Sequence, residues 1–61
     1  MNNPRNNLKT YNKRGAEATE SGQFQQAIED YTEAISLDPK DADAYYNRGS
    51  AYSSWWNRRL P

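Results

Sequence analysis

A repeat of 34 residues constrains the fold of this chain more than any other feature of its sequence. Three pairs of residues are identical at this spacing: Tyr11 and Tyr45, Arg14 and Arg48, and Gly15 and Gly49. A period of this length indicates a small helical unit whose apolar face is covered by the next unit. With 61 residues, the chain has room for one such unit and part of a second.

Two breaks divide the sequence into predicted helices. Gly22 can adopt the left-handed conformation that ends a helix, so a first helix is expected over about residues 8–21. Pro39 disfavours helical geometry in the residue before it, so a second helix is expected over about residues 23–37. Strands are not expected, because the chain has no Val and no alternating apolar run.

The regions outside these two helices are also assigned. The polar, Asn-rich residues 1–7 are predicted to be a disordered head. A third helix is expected from about residue 42, capped by the carboxylate of either Asp38 or Asp41. The second helix has the clearest amphipathic pattern, with one apolar stripe formed by Phe24, Ala27, Ile28, Tyr31, Ala34 and Ile35.

The residues at these positions follow a recognisable pattern. Aromatic, small and turn residues alternate along the first unit at Tyr11, Gly15, Ala18, Gly22, Phe24, Ala27, Tyr31, Ala34 and Asp38-Pro39. The second unit repeats the start of the pattern at Tyr45, Gly49 and Tyr52. In this the chain resembles the tetratricopeptide repeat family, with residues 8–41 as a complete repeat. Residues 42–61 then hold the first helix of a second repeat and a tail unlike the family. The resemblance implies an all-α fold: a helix-turn-helix hairpin with one further stacked helix, a fragment of an α-solenoid.

The small residues explain how such helices pack. Gly15 on the first helix and Ala27 on the second let the two backbones approach, while aromatic rings fill the space beside the contact. Ala34 and Ile35 remain to pack against the third helix, where Tyr45, Gly49 and Tyr52 form an i, i+4, i+7 stripe. Gly49 is therefore predicted to be a packing residue like Gly15.

Two departures from the family pattern stand out. Arg14 and Arg48 occupy positions where the family has an aliphatic residue, and their stems are expected to lie on apolar surface. Trp55-Trp56 replaces the glycine turn, so the third helix is expected to continue to about Arg59.

Three interpretations of this aromatic tail remain open. Trp56 packs as core against Tyr52 and Ile35, the aromatics form a self-association surface, or the tail results from truncation or engineering of a longer array. The candidate self-association residues are Tyr45, Tyr52, Trp55 and Trp56.

Composition excludes most kinds of chemistry. The chain has no Cys and no His, and it lacks the phosphate-binding and hydrolase motifs. Glu29 and Glu33 lie one turn apart but supply too few oxygens for a cation site. We therefore expect no enzyme activity, no metal and no cofactor. No apolar run is long enough for a membrane span or a secretory signal, so a cytoplasmic location is the default expectation.

Charge is segregated along the neutral chain. The formal charge is +4 over residues 1–14, −7 over residues 15–43 and +3 over residues 44–61. This distribution would favour contact between unlike segments, within one chain or between copies. Solvated helix faces are the explanation that we favour for charges on short helices. Basic and aromatic residues interleave near the C-terminus, but the neutral total argues against nucleic acid as a partner.

The family resemblance also implies a concave groove that holds peptides or a partner's helix. Its positions here are Asn12, Lys13, Ala16, Thr19 and Glu20 on the first helix, and Tyr46, Asn47, Ser50 and Ser53 on the third. Some chaperone-binding members hold a peptide carboxylate there, and Asn47 matches one residue of that clamp. Asn12 and Ala16 stand where other clamp residues belong, and the fifth helix is absent, so the complete clamp cannot be built.

The sequence therefore predicts a protein-interaction module that self-associates, most simply as a dimer, through its unfinished second repeat. A peptide-binding adaptor that uses the concave groove is the alternative.

Overall fold

The computed structural model describes residues 4–59. These residues form three helices: α1 (Pro4–Glu20), α2 (Phe24–Leu37) and α3 (Ala42–Arg59). The described part of the chain contains no strand. α2 packs along both α1 and α3, whereas α1 and α3 touch at few points. The all-α prediction of a hairpin with a third stacked helix is confirmed.

The first helix begins earlier than the sequence pattern suggested. α1 starts at Pro4, so residues 4–7 are helical rather than part of a disordered head. Proline suits the first position of a helix, because its φ angle is already helical and its missing N–H would have no partner there. The remaining residues of the predicted head, Met1 to Asn3, lie outside the described residues.

The turn between α1 and α2 is built around Gly22, which has a φ angle of 80°. The N–H of Gln23 donates to the carbonyl of Ala18 at 2.8 Å, and the N–H of Gly22 donates to that of Thr19 at 3.1 Å. This pair of bonds is the Schellman motif, which satisfies the last carbonyls of a helix and requires a left-handed residue. α1 therefore ends one residue before the predicted position.

The connection between α2 and α3 distinguishes the two candidate caps. Asp38 adopts an extended conformation before Pro39, which ends α2. Asp41 caps α3: its Oδ1 accepts from the N–H groups of Asp43 at 3.1 Å and Ala44 at 3.4 Å. α3 then continues to Arg59, as expected where no glycine interrupts the tail.

Small side chains dominate the core. The buried hydrophobic residues are Ala18, Ala27, Tyr31, Ala34, Ala44 and Ala51. Because five of these six are alanines, the helix backbones approach closely, and Tyr31 is the one large side chain among them. Ile28 packs against this core from the edge.

Candidate interaction surface

Two glycines at equivalent repeat positions have opposite surroundings. Gly15 on α1 is covered by the ring of Tyr31 from α2, and a Cβ built on Gly15 would lie 2.7 Å from the Cε1 and Cζ atoms of that ring. On Gly49 of α3, a Cβ at the same position would have nothing within 4 Å among the residues that the structure describes. The face of α1 that receives α2 therefore recurs on α3, where no helix among residues 4–59 covers it.

Aromatic side chains flank this open glycine along α3. Tyr45, Gly49, Tyr52 and Trp56 fall at i, i+4, i+7 and i+11, one face of a helix; we call these four residues the α3 stripe. Tyr45 is 45% exposed, Tyr52 49% and Trp56 59%. We call the gap beside Gly49 the Gly49 notch; it opens into a shallow recess of about 600 Å³. The recess is lined by Tyr45, Tyr46, Gly49, Ser50, Ser53 and Ser54.

The two tryptophans of the tail differ in their surroundings. Trp55 is half-buried and borders a groove of about 270 Å³ between α2 and α3, together with Ile28 and Tyr52. Trp56 remains largely exposed. The interpretation that Trp56 packs as core against Tyr52 and Ile35 is therefore wrong. Neighbouring helical residues point about 100° apart, so only one of the two rings can face α2.

The arginines that depart from the family pattern lie over aromatic rings. The guanidinium of Arg14 lies 5.9 Å from the ring centroid of Tyr11, and that of Arg48 lies 5.6 Å from the ring of Tyr45. Arg48 also donates from Nη1 to the Thr32 hydroxyl at 3.4 Å. Arg48 thus borders the α3 stripe and stays engaged with its own chain.

A family model for the TPR repeat matches residues 15–54, about two thirds of the chain. The matched segment includes the Gly22 turn, the Pro39 connection and both Gly15 and Gly49. The chain belongs to the tetratricopeptide repeat (TPR) family. No solved structure matches it. TPR repeats generally mediate contacts between proteins, and they typically act as interaction modules rather than as enzymes.

The residues predicted to pack the hairpin differ in their burial. Gly15, Ala18, Ala27, Tyr31 and Ala34 are buried, whereas Pro39 and Gly49 are exposed. Tyr11, Gly22 and Phe24 are half-buried. Gly49 has no covering side chain among the described residues, whereas the equivalent Gly15 is covered by Tyr31. The second helix of the Gly49 repeat, which would supply one, is not among the described elements.

The groove candidates are partly engaged within the chain. Asn12 donates from Nδ2 to Oδ2 of Asp41 at 3.2 Å, and the Thr19 hydroxyl donates to the Gly15 carbonyl at 2.8 Å. The Oδ1 atom of Asn12 is buried and has no hydrogen-bond partner in the described part of the chain. Asn47 is half-buried, and the other groove candidates are exposed: Lys13, Ala16, Glu20, Tyr46, Ser50 and Ser53.

One contact of the tail was not foreseen from the sequence. Arg58 lies 5.6 Å from the ring centroid of Phe24 and donates from Nη1 to the Gly22 carbonyl at 3.4 Å. The end of α3 thereby reaches the α1–α2 turn, 36 residues back along the chain. An aromatic residue two positions after a turn glycine, with an arginine in the tail, is too weak a signal to predict this pairing.

Neither a metal centre nor a membrane span is found among the described residues. No group of three or more acidic side chains in residues 4–59 could hold a metal ion. No helix in that range is long and apolar enough to cross a membrane.

Proposed function

We propose that this TPR chain is a protein-interaction module that binds a second copy of itself through the α3 stripe. The contrast between Gly15 and Gly49 carries this proposal. The same face of a repeat helix is covered by Tyr31 in the first repeat and open in the second. Contiguous exposed aromatic surface of this kind is typical of protein interfaces.

A second copy of the chain has aromatic side chains that suit the open face of α3. Gly15 accepts an aromatic ring from a neighbouring helix, and the α3 stripe presents three such rings to solvent. A second copy therefore brings both a notch and the aromatic side chains that fill one. The small size of the domain also favours association, because its core is small and burial of further apolar surface stabilises it.

The peptide-binding alternative has less support. Asn12 and Asp41 are bonded to each other, and the Thr19 hydroxyl bonds within its own helix. A peptide that used these groups would first have to displace those partners. Lys13 and Tyr46 are exposed but lie on different helices that hardly touch.

Sedimentation velocity over about 10 µM to 1 mM tests the proposal, because small interfaces give weak complexes. We expect the sedimentation coefficient to rise with concentration in the unmodified chain and to stay at the monomer value in Tyr45→Ser/Trp56→Ser. Tyr45 is 45% exposed and Trp56 59%, so we expect the variant to keep the fold, and circular dichroism checks its helicity. Trp55 is left intact because it is half-buried.

Tyr46→Ser is the matched control. Tyr46 is 74% exposed and lies about 100° from Tyr45 around the helix, outside the α3 stripe, although it borders the recess beside Gly49. We expect this variant to associate more strongly than Tyr45→Ser/Trp56→Ser. A chain that stays monomeric throughout the concentration range, with native helicity, would refute self-association. If Lys13→Ala/Asn47→Ala dissociates the complex while the stripe variant does not, the copies meet through the groove instead.

A further inference from the structure

We infer that two copies pair α3 against α3 in antiparallel orientation, so that Tyr52 of each copy fills the Gly49 notch of the other. This inference rests on the proposed self-association and specifies its geometry. Three observations carry it: where the exposed apolar residues lie, how they are spaced, and how the ends of α3 are charged.

Exposed apolar surface is concentrated on one helix. Among the described residues, four of the five exposed large hydrophobic side chains belong to α3: Tyr45, Tyr46, Tyr52 and Trp56. The fifth, Leu37, is the last residue of α2. The surface that best complements one α3 stripe is therefore another α3 stripe. A contact between identical patches is isologous, and it closes as a two-fold dimer.

The spacing of the stripe suits a paired helix. Its residues are separated by four, three and four positions, which is the a/d spacing of a coiled-coil seam. When two α3 helices overlap along their whole length in antiparallel orientation, position 45 faces position 56 and position 49 faces position 52. Tyr52 of one copy then lies over Gly49 of the other, which reproduces between copies the contact of Tyr31 with Gly15. Tyr45 of one copy faces Trp56 of the other, an aromatic pair.

The opposite orientation fits less well. A parallel pair sets Gly49 against Gly49 and leaves a void between the flanking rings, which loses packing contacts. It also places the acidic start of α3, with Asp41 and Asp43, beside the same acidic start. The antiparallel pair instead places that end beside the end that carries Arg58, and it aligns the helix dipoles favourably.

Spin labels distinguish the antiparallel from the parallel arrangement. The chain has no cysteine of its own, so a label attaches only to a cysteine that is introduced. Asp43, Ser50 and Asn57 are exposed and seven residues apart, so single-cysteine variants place labels along one side of α3. Distances between twin labels are measured by double electron–electron resonance at concentrations where sedimentation shows a dimer. In the antiparallel dimer, the two labels at position 43, one on each copy, lie about 20 Å further apart along the helix axis than the two labels at position 50. The same holds for the two labels at position 57.

The outcomes of this experiment distinguish a failure of antiparallel pairing from a failure of self-association. A shortest distance at 50 with two longer, similar distances at 43 and 57 supports antiparallel pairing. Equal distances at all three positions indicate a parallel pair, and a steady increase from one end to the other indicates a contact elsewhere. Either result overturns the antiparallel arrangement while self-association stands. A protein that is monomeric at every concentration overturns both.

A second variant tests the notch itself. Gly49→Gln should keep or improve helicity, because Gln favours helix over Gly, while its side chain occupies the notch. We expect at least a tenfold weaker dimer. Ser36→Gln, on the exposed face of α2, is the control and should dimerise as the unmodified chain does. An unchanged dimer in Gly49→Gln, with the folded state intact, would show that Tyr52 does not enter the notch.

Discussion

The ring of Tyr31 lies over Gly15 so closely that a Cβ on that glycine would come within 2.7 Å of the ring atoms. This contact sets how near α1 and α2 can approach. Tyr31 is 3% exposed, and alanines surround it, so its ring has little freedom to retreat. The α1–α2 crossing thus pairs a glycine on one helix with an aromatic ring on the next.

Gly15→Ala should destabilise the hairpin although alanine favours helix. The gain in helix propensity is outweighed by overpacking against Tyr31, and we expect a net loss of about 1–3 kcal/mol in the free energy of unfolding. Urea denaturation followed by circular dichroism at low concentration measures it. A variant as stable as the unmodified chain would mean that the Tyr31 ring moves aside without cost.

The equivalent substitution on α3 should have the opposite effect. Gly49→Ala adds a methyl group that meets nothing within 4 Å, and it removes the entropic cost of glycine within a helix. We expect the free energy of unfolding of the monomer to rise by about 0.5–1 kcal/mol. The measurement must be made below the concentration at which copies associate. Destabilisation in the monomer would show that α3 is covered there by a contact within the same chain.

The sequence predicted the hairpin because its determinants are local. Gly22 marks the left-handed turn, Pro39 ends α2, and the stripe from Phe24 to Ile35 defines the face that is covered. Gly15 and Ala27 identify the crossing without knowledge of the neighbouring helix. The pattern did not predict the open Gly49, because it placed Gly49 with Tyr45 and Tyr52 on the stripe that packs against α2; among the described residues, nothing covers that glycine.

Other features depend on distant partners and could not be predicted. Asp38 and Asp41 are equally good caps by residue type, and the path of the loop decides between them. Trp55 and Trp56 are identical in chemistry, and the packing of α2 determines which one is half-buried. The contact of Arg58 with Gly22 joins residues far apart in sequence, and nothing in the repeat pattern encodes it.

Asp41→Ala should destabilise α3 and its connection to α1. The carboxylate accepts from two amides in the first turn of α3, and its Oδ2 receives the Asn12 amide. Loss of an N-cap costs about 1 kcal/mol, and the stranded Asn12 side chain adds to it. Asp41→Asn retains a capping oxygen and should lose less. Thermal denaturation of the two variants side by side measures the difference, and equal losses would contradict the capping role.

Arg58→Ala should loosen the end of α3. An exposed cation–π contact contributes about 0.5–1 kcal/mol, so the effect on global stability is small. The local effect is easier to detect: the last amides of α3 should exchange faster with deuterium, while those of α2 exchange as before. Arg58→Lys keeps the charge over Phe24 and is the control. Unchanged exchange in Arg58→Ala would mean that Trp55 alone holds this end of the helix.

The two tryptophans should report separately on the fold and on the contact between copies. Trp55→Phe leaves Trp56 as the single tryptophan, and Trp56→Phe leaves Trp55; in each variant the tryptophan is excited selectively over the tyrosines. In the dilute monomer, acrylamide should quench Trp56 more strongly, because that ring is 59% exposed and Trp55 is half-buried. On concentration, Trp56 should become protected as it meets Tyr45 of a second copy, whereas Trp55 should change little. Protection of Trp55 alone would place the contact at the groove between α2 and α3 rather than on the α3 stripe.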